Sequence, residues 1–229
     1  MSEWWTYSLS DFLLFSPRTY YRLFELYNAD IWPAQILALA LGVAMLALVW
    51  RARAGQGRVV AAILAGCWIW VALAFHLNRY ATINWAATYF AAAFAFEALL
   101  LIWIGVIRNA LAFEPAVSVT QRIALGVFLF ALAVQPPVGA LAGREWTQVE
   151  IFGVAPDPTV TGTLGLLLLA SGRVYWELLV IPLVWCALSG AVAWTMKSPD
   201  ALLMPLIALA VVILSIARRR AIQSMGFSR

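Results

Sequence analysis

Five polar side chains stand inside or beside long apolar runs, where each is a candidate for chemistry: Gln35, Glu97, Gln135, Asp157 and Thr161. Polar groups held away from water are costly, so an apolar run that keeps one invites a functional reading. Glu97 is the clearest. It sits among Ala, Phe and Leu, about 15 Å from the nearer end of its run at 1.5 Å per residue. No Arg, Lys or His occupies the middle of any run to pair with it. Burial then works against the charged carboxylate. A protonatable carboxyl facing a cavity is the group that proton-coupled transport uses. The plainer alternative is a neutral acid hydrogen-bonded to neighbouring backbone or Trp.

The other four residues group by depth. Gln135 precedes Pro136 and Pro137, and two consecutive prolines remove amide donors and crowd the preceding turn, so a kink or break is expected there. Downstream, Pro156-Asp157-Pro158-Thr159 reads as a helix start, with Asp157 as N-cap and Pro158 first in the helix, and Gly172 reads as its C-cap. That helix is about 14 residues and about 21 Å long, too short to cross a hydrocarbon layer of about 30 Å. Counted from the inner face, Pro136 and Asp157 both fall about 20 Å deep, with Gln35 and His76 at about 22 and 26 Å. One outward-facing vestibule at this depth, ringed by Gln35, Gln135, Asp157 and Thr161, is the expectation. Unpaired amides at the start of the short helix would then favour an anionic or polar solute. Alternatively, segment 144–157 simply folds over the outer surface.

Enzymatic chemistry finds no such support. His76 is the sole histidine, which excludes bis-histidine haem ligation within one chain. No HExxH, GxSxG, GxxxxGK[ST] or GxGxxG pattern occurs. Cys67 and Cys186 lie in apolar runs without paired spacing and read as structural thiols. His76 is expected to be satisfied near Asn78 and Arg79, and Glu177 to pair with Arg173 at i and i+4. No catalytic residue, metal or cofactor is expected, and the protein is not expected to be an enzyme. An intramembrane enzyme using Glu97 or His76 lacks an accompanying nucleophile.

The elements that must position these residues follow from composition. Of 229 residues, 64% are hydrophobic and 11% charged, which no soluble domain of this length can hide. Apolar runs near 31–50, 59–78, 85–107, 123–142, 158–171, 174–196 and 202–217 give seven spanning or partly spanning helices, the fifth short. With the N-terminus outside, ten basic residues (Arg51, Arg53, Arg58, Arg108, Arg122, Arg173, Arg218, Arg219, Arg220 and Arg229) lie inside. Five (Arg18, Arg22, Arg79, Arg144 and Lys197) lie outside, which fits seven crossings and a cytoplasmic C-terminus. The net charge of +4 therefore sits at helix ends and does not mark a nucleic-acid binder. No removable signal peptide is read, so the first span is expected to serve as its own address.

Ahead of that span, Trp4, Trp5, Tyr7, Phe12 and Phe15 precede a helix begun by Ser16-Pro17, in which Tyr20, Leu23, Phe24 and Tyr27 share a face. It reads as an interfacial helix on the outer leaflet. Gly139 and Gly143 form one small-xxx-small pair that would permit close helix approach. The chain divides into an aromatic interfacial segment (1–30), a transmembrane helical domain (31–217) and a basic cytoplasmic tail (218–229).

Trp32-Pro33-Ala34-Gln35, Pro158-Thr159, Gly165 to Leu169, Gly172-Arg173-Val174, Trp176, Ile181-Pro182-Leu183 and Trp185 carry a resemblance. Across most of the chain from Asn28, the sequence resembles a bacterial multi-pass family catalogued as domain of unknown function 6064, some of whose members are labelled permeases. In that family's pattern a Cys often precedes the Pro-Thr pair. Asp157 stands there in this chain, so no thiol or soft-metal role is implied at that position.

The reading is an all-α integral membrane bundle in the bacterial inner membrane. Its expected function is that of a small permease or channel-like transporter of a polar solute or ion, proton-linked through Glu97. The lipid bilayer is the expected partner, with no nucleic acid. The alternative is a non-catalytic membrane subunit or scaffold packing against partner helices, lipid or an apolar pigment.

Overall fold

The computed structural model describes residues 15–226 apart from 52, 54 and 115–117. Trp4, Trp5, Tyr7, Phe12 and Arg229 lie outside the described residues. Every regular element among them is helical. Helix α1 (Pro17–Asp30) starts as its sequence dictates: the Ser16 side chain accepts from the Thr19 amide, and Pro17 opens the helix where no amide partner is needed. It lays Leu23, Phe24 and Tyr27 inward. Helix α2 (Ala34–Arg51) follows a three-residue turn. Helix α3 (Gln56–Trp70) runs on as a π-helix over Val71–Leu77, and α4 (Ala87–Leu100) likewise over Leu101–Ile107.

Helix α5 (Val119–Leu129) begins in a capping box between Ser118 and Gln121 and passes through a π-helical stretch, Phe130–Val134, into α6 (Gln135–Leu141). Pro136 and Pro137 therefore do not break the helix. The wider π turn ends just before them, and they occupy the opening turn of α6, so that Val119–Leu141 continues as one helical run. Beyond α6 come α7 (Pro156–Leu169), α8 (Val180–Thr195) and α9 (Leu203–Gly226).

Five helical segments are long and apolar enough to cross a membrane: Ala34–Arg51, Gln56–Thr82, Ala87–Ile107, Val119–Leu141 and Trp176–Thr195. Their outer faces show Ile, Leu and Val to the surroundings, and Trp32, Trp50, Trp85, Trp103 and Trp194 are exposed at or near their ends. That pattern fits a membrane protein, since indole rings settle at the boundary between headgroups and acyl chains.

Helix α7 is the hub. At 14 residues it is too short to span, yet apart from Asp157 each of its residues is buried, with α3, α5, α8 and α9 packed around it. A helix apolar on all sides belongs in a core. Its start is two residues earlier than the sequence suggests: Ala155 is the N-cap, Pro156 takes the first helical position, and Asp157 is inside the first turn rather than capping it. Its last residue is Leu169, with Gly172 at φ +77° two residues past the C-cap Ala170. Gly165 allows α5 and α7 to touch at backbone distance, because a Cβ there would stand 2.8 Å from the Phe128 amide nitrogen. Trp68 of α3 pins the helix by donating its indole N–H to Thr163 Oγ1 at 2.9 Å.

Candidate functional site

The chain from Gly143 to Ala155 lies between α6 and α7 and brings Arg144 and Glu150 to the start of α7. The Gly143 backbone is left-handed (φ +94°), a conformation glycine reaches without steric cost. Gly139 does not serve helix approach. The atoms nearest a Cβ built there belong to the Arg144 side chain, at an ordinary contact distance of 3.4 Å.

Arg144 Nη1 reaches Glu150 at 3.3 Å and Nη2 reaches Asp200, in the turn between α8 and α9, at 2.6 Å. The three side chains keep only 12%, 8% and 13% of their surface exposed. The Tyr21 ring of α1 lies 5.0 Å from the guanidinium carbon, and the Tyr21 hydroxyl donates to Ser198 at 3.2 Å, which in turn hydrogen-bonds Asp200.

Asp157 completes the cluster. It accepts from Trp185 Nε1 at 2.8 Å and Ser189 Oγ at 2.7 Å, both on α8, and its own backbone N–H donates to the Glu150 carboxyl. The carboxylate therefore ties α7 to α8 instead of capping α7. Burial, followed by the nearby Asp157 charge, pushes the Glu150 acid above the ordinary carboxyl range, while Arg144 pulls it back down. Three carboxyl groups share one guanidinium, so full ionisation leaves the cluster with two uncompensated negative charges.

A cavity of about 30 Å³ lies inside this cluster, lined by Gln135, Arg144, Glu150, Asp157, Ser189 and Asp200 among others. That volume holds one water-sized particle. Gln135 donates its amide N–H to Met204 Sδ at 3.5 Å, and Thr161 Oγ1 donates to the same sulfur at the same distance. The Gln135 carbonyl oxygen, Arg144 Nε and Glu150 Oε2 are buried with no hydrogen-bond partner among the described residues.

Of the residues picked from sequence, Gln135 and Asp157 line the cavity and Thr161 reaches it through Met204. Gln35 and Glu97 do not. Gln35, in the first turn of α2, donates to the Asn28 carbonyl at 2.7 Å and so locks α1 against α2. Glu97 is fully buried on α4, with neither carboxyl oxygen paired among the described residues. His76 is not satisfied near Asn78 and Arg79 either. Its ring packs among Phe75, Tyr80, Phe90, Phe94 and Trp185, at 4.5 Å from Phe94 and 5.0 Å from Trp185, and neither nitrogen is paired among the described residues. Arg173 and Glu177 do pair. Both cysteines are free and buried, and no group of three His, Cys, Asp or Glu among the described residues is placed to hold a metal.

Sequence reasoning passed over Arg144, Glu150, Asp200, Ser189 and Trp185. One signal was present: five acidic or basic residues (Arg144, Glu145, Glu150, Lys197 and Asp200) fall within two connecting segments of an otherwise charge-poor chain.

Residues 18–225 match the family of unknown function DUF6064. The chain belongs to that family. No curated protein and no solved structure matches it. In this DUF6064 member, the α6–α7–α8 cluster is thus to be read from its own chemistry. Its ion pairs and hydrogen bonds join α1, α7 and α8 to the two connecting segments that precede α7 and follow α8.

Proposed function

We propose that this DUF6064 protein is a small multi-pass permease of the bacterial inner membrane, built of seven spanning or partly spanning helices with α7 the short one, and with its binding step in the cavity at the start of α7. A cation is the solute class, which replaces the anionic or polar solute expected from helix polarity alone. The observation that carries this reading is a surplus of acid: Glu150, Asp157 and Asp200 around Arg144, all largely shielded from water beside a cavity the size of one water. A purely structural ionic cluster does best when its charges balance, because each uncompensated buried charge costs several kcal/mol, on the order of the whole gain from a good pair. A cluster whose acids outnumber its one guanidinium is suited to taking up a positive charge and releasing it.

The basic residues support the orientation, with ten of fifteen on the side assigned to the cytoplasm. Helix α1 carries Tyr20, Tyr21, Phe24 and Tyr27 at the outer boundary and joins the site through Tyr21. Lipid is the partner of the exposed apolar faces, and passage without chemical change to the solute is the activity. Glu97 remains in this reading as a separate proton-linked gate, supported by its full burial without a paired cation.

The test is flux in reconstituted vesicles loaded with a pH-reporting dye, with a membrane potential imposed by potassium and valinomycin. Wild-type vesicles are expected to carry protons or cations inward, and Asp157→Asn to lower the rate at least about tenfold, since one tenfold step corresponds to about 1.4 kcal/mol of lost binding. Vesicles that match protein-free controls, or an Asp157→Asn variant that matches wild type, would sink the permease.

A further inference from the structure

The cavity itself specifies its occupant more narrowly than "cation". Its two unserved acceptors, Gln135 Oε1 and Glu150 Oε2, belong to residues only 7% exposed and sit on a wall that also includes the Asp157 and Asp200 carboxyls and the Ser189 hydroxyl. Ser189 spends its proton on Asp157, which leaves its oxygen lone pairs available. With the carboxyls ionised, every one of these groups accepts hydrogen bonds. Among the described residues, the Arg144 Nε–H is a buried donor left unserved at the cavity.

Water is a poor match for such a wall. A single water satisfies geometry but brings no positive charge to acids that outnumber the one guanidinium. A bare metal ion is a poor match as well, since no three acidic, His or Cys side chains among the described residues converge closely enough to ligate one. The remaining class is a monovalent cation that binds by donating hydrogen bonds at about 2.8 Å rather than by direct ligation at 2.0–2.6 Å.

Resting on the reading of this cluster as the binding site, we infer that the cavity at the start of α7 is an ammonium site, with the unserved Gln135 carbonyl oxygen and Glu150 carboxyl as acceptors and the Asp157 and Asp200 carboxyls on the same wall adding negative charge. Ammonium has the size of water, so it fits the about 30 Å³ available, and its N–H donors match the two unserved oxygens, on α6 and on the α6–α7 segment, that line it. Gln135 contributes specificity. It carries no charge, so it adds nothing to long-range attraction, yet its carbonyl is oriented by the Met204 contact on its amide side and is otherwise unserved. A methylated ammonium exceeds the cavity by a methyl group.

The experiment is calorimetric titration of the detergent-purified protein at pH 7 with ammonium chloride, against sodium, choline and methylammonium chlorides at equal ionic strength. Saturable heat is expected for ammonium alone. Gln135→Leu, which leaves the ionic network untouched, is expected to weaken binding about tenfold, the loss of one hydrogen bond to a charged group. Gln135→Glu keeps the acceptor and adds charge, so it is expected to bind at least as tightly as wild type, and it serves if the leucine variant fails to fold. Equal heats for ammonium and sodium, or a Gln135→Leu titration indistinguishable from wild type in a folded protein, would overturn the assignment. Ammonium binding in micelles without any flux in vesicles supports this site and ends the permease, whereas flux without ammonium binding overturns the site and leaves the permease.

Discussion

Replacing Arg144 with Met removes the only cation from a cluster of three acids while keeping most of the stem that lies along Gly139. The side chains of Arg144, Glu150 and Asp200 are 12%, 8% and 13% exposed, so solvent screening does little for the carboxylates left behind. Removing one member of a buried ion pair typically costs about 3–5 kcal/mol. Glu150 retains the Asp157 backbone N–H and Asp200 retains Ser198, which places the expected loss near the lower end, about 3 kcal/mol, or roughly 150-fold in the folding equilibrium. The assay is equilibrium unfolding in mixed micelles titrated with a denaturing detergent, at pH 5 to 9. Glu150 is already pushed up by burial to about 8 with Arg144 pulling downward, so deleting Arg144 drives it higher still. The defect is therefore expected to shrink as pH falls and Glu150 takes a proton. An additional Asp200→Asn is expected to recover part of it. A cost below about 1 kcal/mol, the range of exposed pairs, or a pH-independent cost, would refute the assignment of this network as buried and ionic.

Four further outcomes are expected. In the wild type, Glu150 titrates higher when folded than when unfolded, so its favourable contribution is complete below the ordinary carboxyl range and fades as pH rises through about 8; unfolding midpoints at pH 6 and 9 check this, and the higher pH should give the lower stability. Gly165→Ala puts a methyl 2.8 Å from the Phe128 amide nitrogen and 3.0 Å from the Ala124 carbonyl oxygen, neither of which can rotate away, so a loss of about 1–3 kcal/mol is expected by the same unfolding assay. Tyr27→Phe deletes a hydroxyl that donates to the Val154 carbonyl at 2.6 Å and accepts from Trp70 at 3.0 Å; about 1–3 kcal/mol of destabilisation is expected, and faster amide hydrogen exchange near Val154 should accompany it. Glu97→Gln conserves volume and breaks no hydrogen bond, so unfolding should be unchanged while proton-coupled flux in vesicles falls; unaltered flux removes Glu97 from the mechanism.

The limits of the sequence reading have a geometrical cause. Counting at 1.5 Å per residue estimates how far along a helix a side chain lies, and Gln135 and Asp157 do line one cavity. It does not fix direction around the bundle. The same count puts Gln35 and His76 near that depth, yet Gln35 faces α1 and His76 faces a shell of rings between α3, α4 and α8. The start of α1 was legible because Ser-Pro is a local signal that needs no tertiary contact. The start of α7 was misplaced by two residues because two prolines compete for its first turn and the Asp157 carboxyl is claimed by α8. Arg144, Glu150 and Asp200 escaped notice for a related reason: they sit on connecting segments, and which segments meet is decided by packing, not by periodicity.

Helix α7 has a bearing on biogenesis. Its burial needs α3 and α5, made before it, and α8 and α9, made after it, so this 14-residue segment has no finished home when it leaves the ribosome. It is also too short to be held by lipid in a spanning pose on its own. The Asp157 contacts to Trp185 and Ser189 then act as the latch that secures α7 once α8 is inserted, and truncation before residue 180 should leave a chain that proteolysis removes quickly.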